Sequence, residues 1–172
     1  MKSFLFGSFL FLIFQLNEIS AVLSPEVGEK VVTSYNGVHL FGEIESGVDF
    51  ELVLRSRRSW TDSDREKVFY GVEGTEMLKS KTIISEFKLT IGNKAVYIPS
   101  SSYVDLAKVH TLGVFLMKKD NEVYLYLFGG DGAGSYRAKF TIRDWKLIKR
   151  LAEDHVGNIS TKSFEGYQSE SH

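Results

Sequence analysis

Residues 122–144 read EVYLYLFGGDGAGSYRAKFTIRD. An apolar run enters a hexapeptide holding four glycines and one aspartate, Gly129 to Gly134, and an alternating apolar and polar run leaves it. The fold turns on what this loop joins. A phosphate-binding loop opens a helix whose N-terminal N–H groups face the phosphates, and it needs a lysine after its last glycine. Here Ser135 stands at the lysine position, and Tyr136, Ala138, Phe140 and Ile142 alternate with Arg137, Lys139, Thr141 and Arg143. Period two is the signature of a strand, not a helix. The glycines are also mis-spaced for a dinucleotide fingerprint. One copy of GGDGAGSYR has a calcium nonapeptide's first, second and fourth positions. Gly134 stands at its sixth position, where the ligand aspartate should be, and there are no stacked neighbours to complete the ligand set. A calcium ion takes 6–8 oxygens, and Asp131 is the single carboxylate. The loop therefore reads as a strand-to-strand connection, with glycine supplying positive φ and Asp131 capping its own backbone as an Asx-turn. A residual binding role rests on Asp131, Gly132 and Gly134, whose inward N–H groups could form a nest for an anion or a partner's carboxylate.

The same alternation extends outward. VVTSYNGVHLFGEIESGVDFELVL, residues 31–54, predicts a three-strand meander turning at Asn36-Gly37 and, more weakly, at Ser46-Gly47. Val38, Leu40, Gly42 and Ile44 share one face, as do Val48, Phe50, Leu52 and Leu54. TIISEFKLTIGNKAVYIP, residues 82–99, predicts a hairpin about Gly92-Asn93, with Ile83, Phe87, Leu89 and Ile91 on one side and Pro99 ending the second strand. SSSYVDLAK, residues 100–108, predicts one helical turn with a serine cap. Residues 114–117 and 123–128 are apolar at every position, which places that hairpin in the middle of the protein, covered on both faces. Residues 62–68 suggest a short helix or ordered loop, and 69–72 a short strand. WKLIKRLAE, residues 145–153, fits a strand or a helix. The expected class is mostly β: a single-domain antiparallel sandwich or barrel-like sheet of about eight strands, with one or two short helices.

The chain begins MKSFLFGSFLFLIFQLNEISA. A basic residue, an apolar run of about 13 residues and a small residue at Ala21 follow the order of a secretory signal, too short for the ~20 residues of a spanning helix. Cleavage after Ala21 would leave a domain over residues 22–153 and a polar, aperiodic tail over 154–172, expected to be flexible. No further long apolar stretch follows, so no integral membrane segment is expected in the mature chain. The sequence has no cysteine, which removes disulfides, thiolate metal sites and a cysteine nucleophile. A cysteine-free exported chain points to a periplasmic or extracellular setting. The formal net charge is −1, against a nucleic-acid-binding surface.

The residues that could carry chemistry are scattered. RSRRSW, residues 55–60, groups Arg55, Arg57 and Arg58 with Trp60, residue types enriched in binding hot spots. The competing reading is a solvated loop whose arginines pair with Asp62, Asp64 and Glu66. His39, His110, His155 and His172 are not at metal-ligand spacing, and no cofactor is expected. Glu43 and Glu45 share a strand face and could serve a glycosidase, but no elbow or triad accompanies them. The expectation is thus an exported, non-enzymatic β-domain that binds a protein or glycan of the envelope or exterior. A small carbohydrate-active hydrolase and a small-ligand carrier are the alternatives.

Overall fold

Two antiparallel meanders account for the architecture. The computed structural model describes residues 30–34, 37–44, 47–58, 70–71 and 82–165. Residues 1–21, read above as an export signal, the 62–68 segment, Trp60, Glu45 and residues 166–172 lie outside them. The first sheet runs in order through β1 (Lys30–Ser34), β2 (Gly37–Ile44), β3 (Val48–Arg58), β4 (Thr82–Ile91) and the two-residue β5 (Lys94–Ala95). The second holds β6 (Val109–Lys119), β7 (Glu122–Gly129), β8 (Tyr136–Arg143), β9 (Lys146–Asp154) and β10 (Ile159–Ser163), again in chain order. Every strand pair is a sequence neighbour, as tight turns require. Single 3-10 turns at Ser100–Ser102 and Gly132–Gly134 are the helical elements among the described residues.

The sheets share one core. Val38, Leu40 and Ile44 of β2 and Phe50, Leu52 and Leu54 of β3 are buried, the faces that alternation predicts. Opposite them lie Leu125 and Leu127 of β7 and Ala138, Phe140 and Ile142 of β8. Phe87 of β4 packs against Phe140 with ring centroids 5.3 Å apart. Residues 96–108 then cross between the sheets. Val96 N–H still donates to Leu89 on the first sheet, whereas Tyr97 exchanges bonds with Trp145 and Leu147 on the second. The result is a sandwich whose one side is closed by a connection.

Two bulges shift the pattern that simple alternation gives. Between β3 and β4 the pairing passes from Arg55–Glu86 to Ser56–Ile84, leaving Ser85 extra. A bulged residue flips the phase beyond it. Ile84, rather than the expected Ile83, therefore joins the shared core, although both are buried. Between β8 and β9 the pairing passes from Thr141–Lys149 to Ile142–Leu147. Past this second bulge Arg150 takes an inward position opposite Phe140 and is 0% exposed. Its guanidinium forks onto the Asp105 carboxylate and donates to the Ser102 carbonyl at 3.0 Å. Lys162 of β10 reaches the same carboxylate at 2.9 Å. A buried charge is tolerable only with such partners. Tyr136 OH is buried nearby without a hydrogen-bond partner, and burial pushes its pKa up.

One open alternative is resolved and three sequence expectations are corrected. The ambiguous segment after Asp144 is a strand, β9. The supposed tail is structured as far as Glu165: β10 pairs with β9, and Phe164 is buried. Residues 114–117 and 123–128 are not covered on both faces; Val123, Leu125 and Leu127 are buried while Tyr124, Tyr126 and Phe128 are half-buried on the outside. Aromatic side chains count as apolar in the sequence, yet Lys139 lies over Tyr124, 3.9 Å from its ring centroid, and gives that face part of its cover. The turn Asn36-Gly37 is displaced, since Gly37 already belongs to β2 opposite Ser34 and Arg55. Glycine is needed there because a Cβ would stand 1.9 Å from the Leu54 carbonyl oxygen.

Candidate functional site

At one end of the sandwich the β2–β3, β4–β5, β6–β7 and β8–β9 turns surround a groove of about 350 Å³. Its floor is aliphatic: Ile44, Val123 and Ile142 are buried, and Val48 and Ile91 are half-buried. Lys118, Asn121, Arg143, Asp144 and Trp145 complete the wall. The sequence places each of these by strand phase or by turn geometry. Lys118 follows Val114 and Leu116 on the inward face of β6, at the point where the strand leaves the core. Ile142 and Val123 are cross-strand partners.

Trp145 is held in an unusual way. The β8–β9 hairpin closes with Arg143 opposite Lys146, so Asp144 and Trp145 form the two-residue turn. Their φ values are 50° and 58°. A type I′ turn demands such angles and is dominated by Asn and Gly. A large side chain there costs about 1–2 kcal/mol. The backbone is fixed because the Trp145 carbonyl accepts from Tyr97 N–H at 2.9 Å. The ring remains 44% exposed, with Lys94 Nζ 3.9 Å from its centroid. Strain of this kind gathers at functional positions.

The charges around the groove are not equivalent. Arg143 is engaged by Glu122, which also accepts from Tyr124 OH at 2.5 Å. The Tyr124 hydrogen bond, and then that of Arg143, hold the Glu122 carboxyl below its usual range, and Glu122 in turn raises the Arg143 pKa. Lys94 sits on the Trp145 face. Lys118 makes no ion pair among the described residues.

The residues singled out from the sequence that fall among the described ones lie elsewhere and do not converge. Arg55, Arg57 and Arg58 belong to the end of β3, not to a loop. Arg55 meets Glu86 of β4 at 3.1 Å, and the expected partners Asp62, Asp64 and Glu66 lie outside the described residues. Lys88, followed by Arg55, keeps the Glu86 pKa low. The glycine loop is the β7–β8 connection, at the far end of β7 from the groove. Asp131 does not form the expected Asx-turn; its carboxylate accepts from Lys108 Nζ at 2.9 Å and has His110 Nε2 at 3.8 Å. The N–H groups of Gly130, Gly134 and Ser135 are bonded to the carbonyls of Lys108, Asp131 and Gly132. Gly129 and Gly130 are required by close packing. A Cβ on Gly129 would lie 2.5 Å from Tyr136 OH, and one on Gly130, at φ 75°, would lie 2.1 Å from the Gly134 oxygen. His39 pairs with Glu51 at 2.7 Å, and Glu43 is exposed opposite Asp49. Among the described residues no three His, Asp or Glu side chains group as metal ligands.

Sequence reasoning missed the groove because its wall comes from four turns far apart in the chain. One local signal was present. Asp144-Trp145 between two alternating runs has hairpin spacing, with tryptophan where Asn or Gly is expected. No helix among the described residues is long and apolar enough to cross a membrane. Comparison with protein-family models, with curated proteins and with solved structures gave no match.

Proposed function

We propose that this chain is an exported, non-enzymatic β-domain that acts by binding, and that the groove beside Trp145 is its ligand seat. The observation that carries the reading is a strained tryptophan at the mouth of an aliphatic groove. Pockets that hold small ligands combine an apolar lining with a few placed polar groups, at volumes of roughly 300–1,000 Å³. Among the described residues the wall offers Lys118, Asn121, Arg143 and Asp144, and no serine, threonine or histidine. Export, and with it a periplasmic or extracellular setting, rests on the pattern of residues 1–21. The β3 end with Arg55, Arg57 and Arg58 is the proposed secondary contact toward an envelope or extracellular protein or glycan.

The test uses Nile red, a neutral dye that brightens in apolar sites. The chain is expected to bind it, and Val48→Phe, which fills the groove, is expected to abolish binding while leaving the circular dichroism unchanged. Equal dye emission from both proteins would remove the groove from the proposal. N-terminal sequencing of the exported chain should begin at Val22; a chain retaining Met1 would refute cleavage.

A further inference from the structure

Resting on the groove as a ligand seat, we infer that its ligand is an amphipathic anion: an aliphatic chain ending in a carboxylate, with the chain on the groove floor and the headgroup at Lys118. The floor of Ile44, Val48, Ile91, Val123 and Ile142 has no hydrogen-bonding side chain. Any polar group buried against it would lose its water without a replacement. The ligand's inner part is therefore hydrocarbon. About 350 Å³ admits a chain of roughly ten carbons, at the small end of ligand pockets.

The headgroup follows from the cations. Arg143 is occupied by Glu122, and Lys94 lies on the Trp145 ring. Lys118 is half-buried on the inward face of β6 and lines the groove. Among the described residues it has no carboxylate partner. A lysine in this phase position draws its ammonium along apolar surface toward the mouth, where an anion can meet it. Asp144, the carboxylate of the wall among the described residues, stands on the Trp145 turn and not on the β6–β7 turn. That separation orients the ligand, with its negative end toward Lys118 and away from Asp144. Trp145 then forms the side wall along which the chain lies.

An inward lysine on β6 has a second use. β6 is an edge strand, and inward charges discourage edge-to-edge pairing. The experiment separates the two roles. In a Trp60→Phe background Trp145 is the single tryptophan. Its emission is followed during titration, below the micelle threshold, with decanoate, decanol and decyltrimethylammonium. Decanoate is expected to bind about fivefold to tenfold more tightly than either of the others. Lys118→Met should erase that preference, and Lys118→Arg should keep it. Decanol binding as well as decanoate, with both lost in Val48→Phe, overturns the anion while the groove reading stands. A preference unchanged in Lys118→Met also overturns the inference and leaves that lysine to edge protection. No response to any of the three overturns the inference and the groove reading together.

Discussion

Replacing Trp145 with Asn should leave the fold as stable as before, or more so, while removing ligand binding. The left-handed conformation at φ 58° costs about 1–2 kcal/mol for a bulky residue, whereas Asn enters it readily. The substitution forfeits the Lys94 contact on the exposed ring, about 0.5–1 kcal/mol at such sites. The net is between about zero and 1.5 kcal/mol of added stability. For a domain of this size that is a Tm rise of at most ~6 °C. The usual cost of truncating a packed tryptophan is about 3–5 kcal/mol in the opposite direction. The two outcomes are therefore well separated. Urea unfolding followed by circular dichroism measures the stability, since the variant lacks the reporter ring. Binding of Nile red and of decanoate, followed by dye emission and calorimetry, should fall at least tenfold. A loss of more than about 2 kcal/mol would refute the assignment of strain at this turn. Full stability with undiminished binding would refute its functional meaning.

Three other perturbations probe the surrounding structure. Asp105→Ala leaves the fully buried Arg150 guanidinium without its carboxylate and should cost about 3–5 kcal/mol in urea unfolding; Arg150→Met should cost clearly less, because Asp105 keeps Lys162. In the glycine loop, Gly130→Ala meets both a φ of 75° and a carbonyl at 2.1 Å, while Gly132→Ala meets only a φ of 51° in open space. The first should be the more damaging by at least ~1 kcal/mol, and equal losses would show that the loop is not packed as described. The Glu122, Glu86 and Asp154 carboxyls are all held below their ordinary values, Glu122 chiefly by Tyr124 and then by Arg143. Depressed folded-state values mean stability that is complete above the unfolded pKa and is lost as pH falls through the folded ones, so Tm should decline below about pH 4.5. Tyr124→Phe should raise the Glu122 pKa, read by carboxyl-carbon NMR titration; an unmoved titration would contradict the 2.5 Å hydrogen bond.

The strands were legible because a half-buried sheet imposes period two on the chain. Val38 and Leu40 on β2, and Phe50, Leu52 and Leu54 on β3, could be assigned to the core from order alone. The glycine loop could be separated from a phosphate loop by its missing lysine and by the strand that follows it. The exceptions lie where one extra residue changes the phase. Neither Ser85 nor Ile148 announces a bulge, so the core roles of Ile84 and Arg150 were hidden. Arg150 also depends on Asp105 and Lys162, at sequence separations of 45 and 57 in the bonds they make, and no local pattern records such partners. β10 was missed because Ile159–Ser163 has exposed positions at alternate residues and little apolar content. The groove was missed for a related reason: hydrophobic order describes faces of strands, and this site is assembled from the ends of several.

Backbone amide NMR of the full chain titrated with decanoate tests the central claim most directly. Shifts concentrated at Val48, Ile91, Lys118 and Asn121, together with the Trp145 indole N–H, are the predicted result. Shifts confined to Arg55, Arg57 and Arg58, or to Asp131 and Gly132, or none at all, would contradict the groove as the binding site.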